Sequence, residues 1–565
     1  MPTSQSETYE IADEYVDRAA ALDPVAATFR GLAGHDEEMT DYSPDGFEER
    51  AEFARTGIRR LGAAVAGSQA DRLAAEVMRE KLELEVDQYE AGEHFLLLRV
   101  LGSPVQSVRQ CFDLMPTATE HDWEAIAARL GVVPQGLSSI QATLEEGIRQ
   151  QLVSPRRQVV ACVQQAETWS GTDDAATIPF FTGLVERFDA AGIASPALRA
   201  TLGQRAERAT AAYAAFARYL VDGYSPHADT PDPVGPDRYA LFSRLFNGID
   251  LDLAETYAWG WDELYRIEHA MGAVAERILP GTPLSEVIAH LESDPNRAIE
   301  GVDAFQAWLQ ELMDTTIAEL DGTHFDIPEP VKAVEAMIAP PGGAAAMYYT
   351  GPSEDFSRPG RTWYPTLGKT RFPLWGEVSI CYHEGVPGHH LQIAQVRYLA
   401  DRLSRYQRTL AGSSGHAEGW ALYAERLMGE LGYLDDPAYE LGMLRAQAMR
   451  AVRVVVDIGM HLELSIPERE RYHGGETWTP ELALPFVIER SWFPEDFMRS
   501  EVDRYLGMPA QAISYKVGER VWLGARDAAK THAGAAFDLK EFHRHALDLG
   551  PMGLAQLQRE LTPSS

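Results

Sequence analysis

Apolar residues recur three and four positions apart along most of the chain, which is the periodicity of amphipathic helices. Alternating apolar and polar residues, the pattern of strands, are scarce, and extended segments are expected only at residues 94–100 and 345–349. The pattern therefore predicts a mostly α fold with little β-sheet. The clearest predicted helices cover residues 68–88, 121–130, 198–221 and 251–278. Gly131 marks the predicted end of the second of these helices.

Prolines are concentrated in residues 325–343, a segment that also contains two glycines. Because proline and glycine interrupt helices, this segment is the best candidate for a domain boundary. The residues before it have a helical pattern without concentrated chemistry, and the residues most suited to chemistry follow it. We therefore expect a helical N-terminal lobe, residues 1–330, and a catalytic C-terminal lobe, residues 331–565.

The chain is strongly acidic, since 85 Asp and Glu residues outnumber 50 Lys and Arg residues and give a formal charge of −35. Nucleic-acid binding needs a basic face, so this balance argues against a nucleic-acid partner, and it equally disfavours an anionic membrane. The three cysteines lack the spacing of a disulfide framework, the first residues lack a signal-peptide pattern, and no apolar run approaches ~20 residues. These features lead us to expect a cytoplasmic protein without a membrane partner.

The segment SICYHEGVPGHHLQ combines His383, Glu384, His389 and His390 in an apolar setting. A later segment, SSGHAEGWALYAE, predicts a capped helix start with Glu418 in its first turns. Two neutral imidazoles and one carboxylate are a ligand set of catalytic zinc sites, which keep a fourth position open for water. The metal lowers the pKa of that water towards ~7, and an adjacent glutamate accepts its proton. The residues therefore predict a site for one divalent metal, Zn²⁺, with Glu384 as the general base.

The sequence leaves the second histidine ligand open. In the usual motif, H-E-x-x-H, it lies four residues after the first, but position 387 is a proline, so His389 or His390 takes this role. In a continuous helix, at ~100° per residue, His390 is in phase with His383. Pro387 cannot donate to the carbonyl of His383, however, and this predicts an interrupted helix. The histidine that does not bind metal is expected to support the site from behind the ligands.

The motifs resemble those of known families. His383-Glu384, the Gly388-His389 pair and the later Glu418 look like a glutamate-type zincin metallopeptidase with a lengthened first motif. More closely, HEGVPGHHLQ, the downstream AEGWALYAE and the upstream SRPG resemble the large bacterial family catalogued as domain of unknown function 885. The resemblance implies a large, two-lobed, mostly α, zincin-like hydrolase with a deep cleft and a zinc cofactor. It implies no particular substrate.

Two further segments are predicted to border the metal site. Arg453, Asp457 and His461 recur every four residues and form a polar stripe on an otherwise apolar helix. We expect this stripe to bind substrate, with Arg453 available to a carboxylate, and the competing interpretation is a structural ion pair between Arg453 and Asp457. Tyr515 lies in a Tyr-x-x-Gly pattern that the family shares, and we expect it to stabilise the oxyanion formed when water attacks a carbonyl.

Two other residues of the segment SSGHAEGWALYAE are not expected to bind metal. Glu425 is in helical phase with Glu418 but is expected to be solvated. His416, two residues before Glu418, is expected to be a neighbour of the site and not a ligand.

The function predicted from the sequence is that of a zinc-dependent hydrolase, a metallopeptidase or amide hydrolase. Its expected substrate is a peptide or a small amide-containing molecule. The alternatives are a catalytically inactive binding or interaction protein on the same scaffold, and a metal enzyme of a non-hydrolytic type.

Overall fold

Helices make up most of the protein. A computed structural model describes residues 6–173, 178–339 and 347–562, and within them 69% of residues are helical and 4% lie in strands. This confirms the predicted mostly α fold with little β-sheet. Within the same residues, no helix combines the length and the apolar composition that crossing a membrane requires.

The first of two compact units comprises the residues up to 232 together with 506–508. Trp123, Phe181 and Tyr213 are almost fully buried in its continuous apolar core. Its helices are α1 (Glu7–Leu22), α2 (Pro24–Arg30), α3 (Pro44–Ala63), α4 (Gln69–Glu90), α5 (Pro104–Leu114), α6 (Glu120–Gln150), α7 (Arg156–Ser170), α8 (Phe180–Ala190) and α9 (Pro196–Tyr219).

The second unit comprises residues 233–505 and the residues from 509 onward, and it contains every residue predicted for the metal site. Its strands are β1 (Ala298–Glu300), β2 (Val334–Ile338), β3 (Tyr348–Thr350), β4 (Gly360–Tyr364) and β5 (Arg371–Pro373). Its helices are α10 (Gly235–Asn247), α11 (Leu253–Ile278), α12 (Leu284–Ser293), α13 (Val302–Leu320), α14 (Glu377–Glu384), α15 (His389–Tyr398), α16 (Arg405–Thr409), α17 (Ser414–Glu430), α18 (Pro437–His461), α19 (Pro480–Ser491), α20 (Glu495–Gly507), α21 (Ser514–Ala533), α22 (Leu539–Asp548) and α23 (Leu554–Leu561).

The boundary between the units lies near residue 232 and not near residue 330, where the proline-rich segment predicted it. Helix α11 explains the difference, because it packs along α18 within the second unit. Gly260 permits this close packing, since a Cβ at that position would lie 2.7 Å from Cγ1 of Val454. Residues 340–343 of the proline-rich segment lie outside the described residues.

All four helices predicted from periodicity are present. The ends of α4, α9 and α11 fall within two residues of the predicted ends. Helix α6 differs, because it continues through Gly131 and includes Pro134. Leu130, Val133 and Leu137 are buried in the apolar core of this unit, and α6 packs against α9. Burial in the tertiary structure therefore outweighs the local preference of glycine and proline to end a helix.

The strands form an antiparallel pair, β1 with β5, and a three-stranded sheet in the order β2-β4-β3. In the larger sheet β2 runs parallel to β4 and β3 antiparallel to it. Strand β3 covers the end of the predicted extended segment 345–349, whose first two residues lie outside the described residues.

The other predicted extended segment, residues 94–100, is not a strand. The N–H group of Leu98 donates to the hydroxyl of Ser154 at 3.2 Å, and that of Val100 donates to the side chain of Gln158 at 2.7 Å. Side chains thus satisfy the backbone groups that a neighbouring strand would otherwise satisfy.

Helices α17 and α21 approach each other at glycines. A Cβ on Gly419 would lie 2.4 Å from the carbonyl carbon of Gly518, and a Cβ on Gly518 would lie 2.1 Å from the carbonyl oxygen of Gly415. The two backbones therefore meet without an intervening side chain. This contact brings Glu418, on α17, within electrostatic reach of Tyr515, at the start of α21.

We expect Gly419→Ala to destabilise the second unit by about 1–3 kcal/mol, because the added methyl group meets backbone atoms that cannot rotate away. Denaturant unfolding of the wild type and the variant, followed by circular dichroism, measures the change in the free energy of unfolding.

The matched control is Gly429→Ala on the same helix. The nearest atom to a Cβ there is Cδ1 of Leu434 at 3.9 Å, so the methyl group fits. Because alanine is the better helix former by roughly 0.5–1 kcal/mol, this variant should be as stable as the wild type or slightly more stable. Equal stability of the two variants would contradict the close contact.

Candidate metal centre

The histidine motif spans the end of one helix and the start of the next. Helix α14 ends at Glu384 and α15 begins at His389, so the interruption predicted from the proline between them is present. Gly388 permits the sharp turn: its N–H donates to the carbonyl of Tyr382 at 3.0 Å, and a Cβ there would lie 2.0 Å from the carbonyl oxygen of His383. Only glycine fits so close to the preceding helix.

Three side chains of this motif converge in the interior. The potential ligand atoms of His383, Glu384 and His389 all lie within 4.8 Å of one another, and the three residues are buried. Helix α17 adds Glu418, whose Oε2 lies 3.4 Å from Nε2 of His383 and 3.4 Å from Nε2 of His389. The structure thus brings together four residues that the sequence predicted for metal binding and catalysis.

The spacing of these atoms fits a tetrahedral metal ion. Zinc that binds nitrogen and oxygen ligands at about 2.0–2.1 Å holds neighbouring ligand atoms about 3.3 Å apart. The two 3.4 Å separations from Oε2 of Glu418 agree with this value. Within the described residues, Oε2 of Glu418 and Oε2 of Glu384 are also buried without a hydrogen-bond partner. Because buried polar atoms normally have partners, this donor set suits a divalent metal.

The charges in the cluster attract one another. Burial alone would raise the pKa of Glu418, but His389 and His383 outweigh it and hold that pKa well below its usual range. Burial and Arg450 act to lower the pKa of His383, and the carboxylates of Glu418 and Glu425 outweigh them and raise it to about 9. His383 is therefore held to the carboxylates of Glu418 and Glu425 by opposite charge as well as by packing.

His390 does not join the cluster, although it is adjacent to His389. Its Nε2 lies 2.6 Å from the carbonyl oxygen of Val331 and its Nδ1 lies 2.9 Å from the hydroxyl of Tyr349. Burial lowers the pKa of His390 to about 4, so the ring is neutral: Nε2–H donates to Val331, and Nδ1 accepts from Tyr349. Because both nitrogens are bonded away from the cluster, His389 is the second histidine of the site.

Glu425 is fully buried, and its expected solvation is wrong. Its carboxylate accepts a hydrogen bond from the Ser379 hydroxyl, lies 2.8 Å from Nδ1 of His383, and forms an ion pair with Arg450 at 2.9 Å. Such a carboxylate fixes the orientation of an imidazole whose other nitrogen binds a metal. The sequence signal was the separation of seven residues from Glu418, which places both carboxylates on one face of α17.

The two remaining predicted residues, His416 and Tyr515, lie outside the cluster. His416 is buried, and its Nδ1 lies 3.2 Å from Nε2 of Gln392, so it is a neighbour and not a member of the cluster. The ring of Tyr515 lies 6.5 Å from the ring of His383, nearly parallel to it. Burial raises the pKa of Tyr515 and the charge of Glu418 adds to this effect, so the phenol keeps its proton beside the cluster.

The side chains of the polar stripe on α18 bond to groups in the interior of the second unit. Arg453 forms an ion pair with Glu501 at 2.6 Å and donates to the hydroxyl of Tyr505 at 3.1 Å. Its guanidinium also lies 4.6 Å from the centre of the Tyr515 ring. The carboxylate that pairs with Arg453 therefore comes from α20, and the alternative of an Arg453–Asp457 pair does not hold.

Asp457 and His461 are completely buried. Asp457 accepts hydrogen bonds from the hydroxyl of Tyr239 at 2.6 Å and from the N–H of Ala510 at 2.9 Å, and Nε2 of His461 lies 3.0 Å from the carbonyl oxygen of Tyr505. Neither side chain has exposed surface, so the geometry gives no support to the substrate-binding role predicted for these two residues.

Known proteins place the chain in a wider context. A family model described as "Bacterial protein of unknown function (DUF885)" matches residues 24–561. No curated protein matches the chain. The family description names no activity, so the site must be interpreted from its own geometry.

Two solved structures share the fold. One, from Colwellia psychrerythraea, is 23% identical, with a TM-score of 0.82 over 99% of both chains. The other, from Shewanella oneidensis, is 16% identical, with a TM-score of 0.74 over 98% of this chain and 99% of that chain. Each of these two proteins is described as a "putative lipoprotein". At such identities the likeness shows the fold alone, and the cytoplasmic location expected for this chain stays a prediction.

The stability of the second unit should depend on pH through Asp457. Burial raises the pKa of Asp457 to about 7, although hydrogen bonds from Tyr239 and Ala510 act to lower it. An unfolded aspartate ionises near 3.9, so between about pH 4 and pH 7 the folded state binds the extra proton. The contribution of this proton to stability is therefore complete below about pH 4, falls as the pH rises, and is lost above about pH 7.

Asp457→Asn lacks this ionisation, so its stability relative to the wild type should increase between pH 4 and pH 8, by up to about 4 kcal/mol. Melting curves of both proteins across this range measure the difference. Asp250→Asn, at a side chain that is 90% exposed, is the matched control and should show a much flatter difference. A pH-independent difference for Asp457→Asn would contradict the protonated, buried carboxyl.

Proposed function

This chain belongs to the DUF885 family of bacterial proteins, and on that premise we propose that it is a zinc-dependent hydrolase of amide bonds, acting on a peptide or a small amide-containing substrate. The observation that supports this proposal most directly is the approach of Oε2 of Glu418 to Nε2 of both His383 and His389, at 3.4 Å each. Two imidazoles and one carboxylate are the ligands of many catalytic zinc sites.

His383, His389 and Glu418 would hold the metal. When bound, zinc would supply the positive charge that polarises a substrate carbonyl and lowers the pKa of an attacking water towards ~7. The three ligands come from three helices, α14, α15 and α17, which are fixed against one another by the glycine turn and by the buried carboxylate of Glu425.

Glu384 would act as the general base. It directly follows His383 at the end of α14, it is 7% exposed, and its Oε2 has no hydrogen-bond partner within the described residues. A carboxylate oxygen that is not engaged elsewhere is available to take the proton of a water that attacks a carbonyl. The same carboxylate would then return the proton to the leaving amine.

Glu425 would orient His383 without contacting substrate. With Nδ1 of His383 2.8 Å from this carboxylate, Nε2 faces Glu418 and His389, and zinc would bind Nε2 in place of its proton. Arg450 and Ser379 also bond to the carboxylate of Glu425 and keep it in place.

Tyr515 would donate a hydrogen bond to the oxyanion that forms when water attacks. Its raised pKa keeps the hydroxyl protonated, which an oxyanion donor requires. The ring rests against the guanidinium of Arg453, whose partner Glu501 holds it in position. Arg453 therefore supports Tyr515. Its positive charge is balanced by Glu501, so a substrate carboxylate is not needed to balance it.

The metal site predicts the zinc content of variants. Wild-type protein should bind about one zinc ion per chain, and His383→Ala or Glu418→Ala should lose it, because each removes one of three ligands. Elemental analysis after dialysis and calorimetric zinc titration provide the measurement.

His390→Asn is the matched control for zinc binding. This histidine is buried, like the adjacent His389, but its nitrogens are bonded to Val331 and Tyr349. The variant should keep its zinc as long as circular dichroism shows that it is folded. Full zinc occupancy in His383→Ala or in Glu418→Ala would refute the ligand assignment.

If Glu384 is the general base, its replacement should reduce turnover without reducing zinc binding. Glu384→Gln should keep the zinc and lose roughly 10²–10⁴-fold in turnover, because the amide cannot accept a proton. Hydrolysis of a mixed peptide-amide library, followed by mass spectrometry with and without zinc, provides the substrate and the rate.

Two outcomes would contradict this assignment. Loss of zinc in Glu384→Gln would make Glu384 a ligand. Zinc binding by the wild type without zinc-dependent cleavage of any library member would leave the metal site intact and favour a binding protein over a hydrolase.

A further inference from the structure

Helix α15 has two polar faces. One presents His389 to the candidate metal centre, and the other points in a different direction. Arg397 follows His390 by seven residues, which returns to within about 20° of the same direction on the helix. His390 bonds to Tyr349 on this side, and both Arg397 and Arg358 act electrostatically on the hydroxyl of Tyr349. Arg358 also donates to the carbonyl of Gly351 at 2.8 Å, and a Cβ on Gly351 would lie 3.1 Å from Cγ2 of Ile393, one helical turn before Arg397. Both arginines therefore border this side of α15.

Arg397 is short of hydrogen-bond partners. Its Nη1 is buried and has no partner within the described residues. Burial lowers the pKa of Arg397, Glu354 acts in the opposite direction, and the positive charges of Arg408 and Arg358 lower the pKa further. A partly buried guanidinium that has one carboxylate and two like charges around it is stabilised when a further anion joins it.

Arg358 has backbone partners alone in the described part of the chain. It donates to the carbonyl of Gly351 at 2.8 Å and to that of Pro359 at 3.4 Å. These two bonds leave further N–H donors of the five that a guanidinium carries. Burial lowers the pKa of Arg358 and the charge of Arg361 adds to this effect.

The carboxylates nearby are engaged with other groups. Glu354 pairs with Arg408 at 3.3 Å, and Glu335 pairs with Arg361 at 2.8 Å. Asp355 accepts hydrogen bonds from the hydroxyls of Ser353 and Ser357 in its own turn. Within the described residues, no carboxylate is hydrogen-bonded to Arg358 or Arg397. This is notable in a chain with a formal charge of −35, where acidic side chains are abundant.

From these contacts we propose that Arg358 and Arg397 form a binding site for a small oxyanion, a carboxylate or a phosphate. A guanidinium offers parallel N–H donors that match two oxygens of either group, and one anion can bridge two such groups and cancel their repulsion. The site is separate from the metal centre, because Arg397 shares the face of α15 that His390 presents to Tyr349, whereas His389 faces Glu418. It does not depend on the proposed hydrolase activity.

Calorimetric and thermal-shift titrations with three probes test the site at constant ionic strength. Inorganic phosphate represents a free phosphate ligand. N-acetyl-glycylglycine represents the carboxylate end of a peptide, and its C-terminal amide is the matched probe without the carboxylate. Saturable binding of phosphate or of the carboxylate probe, with no response to the amide, is the expected result. Tighter binding of phosphate identifies a free phosphate ion as the ligand class, and tighter binding of the acetylated dipeptide identifies a peptide carboxylate.

Variants test whether Arg358 and Arg397 are responsible for the anion binding. Arg397→Gln and Arg358→Gln should each weaken anion binding at least tenfold while zinc binding is unchanged, since the metal cluster is intact in both. Arg402→Gln removes an equal charge from a neighbouring, 59% exposed side chain and should bind anions as the wild type does. Wild-type affinity in Arg397→Gln, or no saturable response to either anion in the wild type, would overturn the proposal.

Discussion

The buried carboxylate of Glu425 is the interaction on which the arrangement of the candidate metal centre depends. It bonds to Ser379 and His383 on α14 and to Arg450 on α18, although it belongs to α17. A carboxylate without solvent is tolerated only where its charge and lone pairs are satisfied, so these three helices have to pack in one relative position. The same bond fixes the ring of His383. The packing of the three helices and the orientation of His383 thus both depend on Glu425. A substitution of Glu425 would therefore alter both.

Much of the fold could be predicted because its determinants are local. The three-to-four-residue periodicity locates α4, α9 and α11 because each helix buries one face along its whole length. The interruption after Glu384 was predictable because Pro387 cannot donate to the preceding turn. The grouping of His383 with Glu418 was predictable from residue chemistry, since a histidine-glutamate motif followed by a second glutamate on a new helix suits a metal. These are properties of short segments.

The remainder depended on partners that are distant in sequence. The choice between His389 and His390 was decided by Val331 and Tyr349, which occupy both nitrogens of the second ring. The stripe on α18 has the spacing of a site, but its partners belong to other elements. Glu501, which pairs with Arg453, lies on α20, and nothing in the helical pattern of α18 indicates that it is near. The continuation of α6 through Pro134 has the same origin, because burial of its apolar face in the core outweighs the local signal.

The turn between α14 and α15 also determines the direction in which each side chain of α15 points. His389 faces the cluster and His390 faces Tyr349, although the two are neighbours on one helix. One residue added or removed between Glu384 and His389 would rotate α15 by about 100°, and this would move both of its polar faces away from their present partners. The number of residues in this turn is therefore a stricter requirement than the identity of most of them. When relatives of this chain are aligned, a gap within this segment signals a different site, even where both histidines are retained.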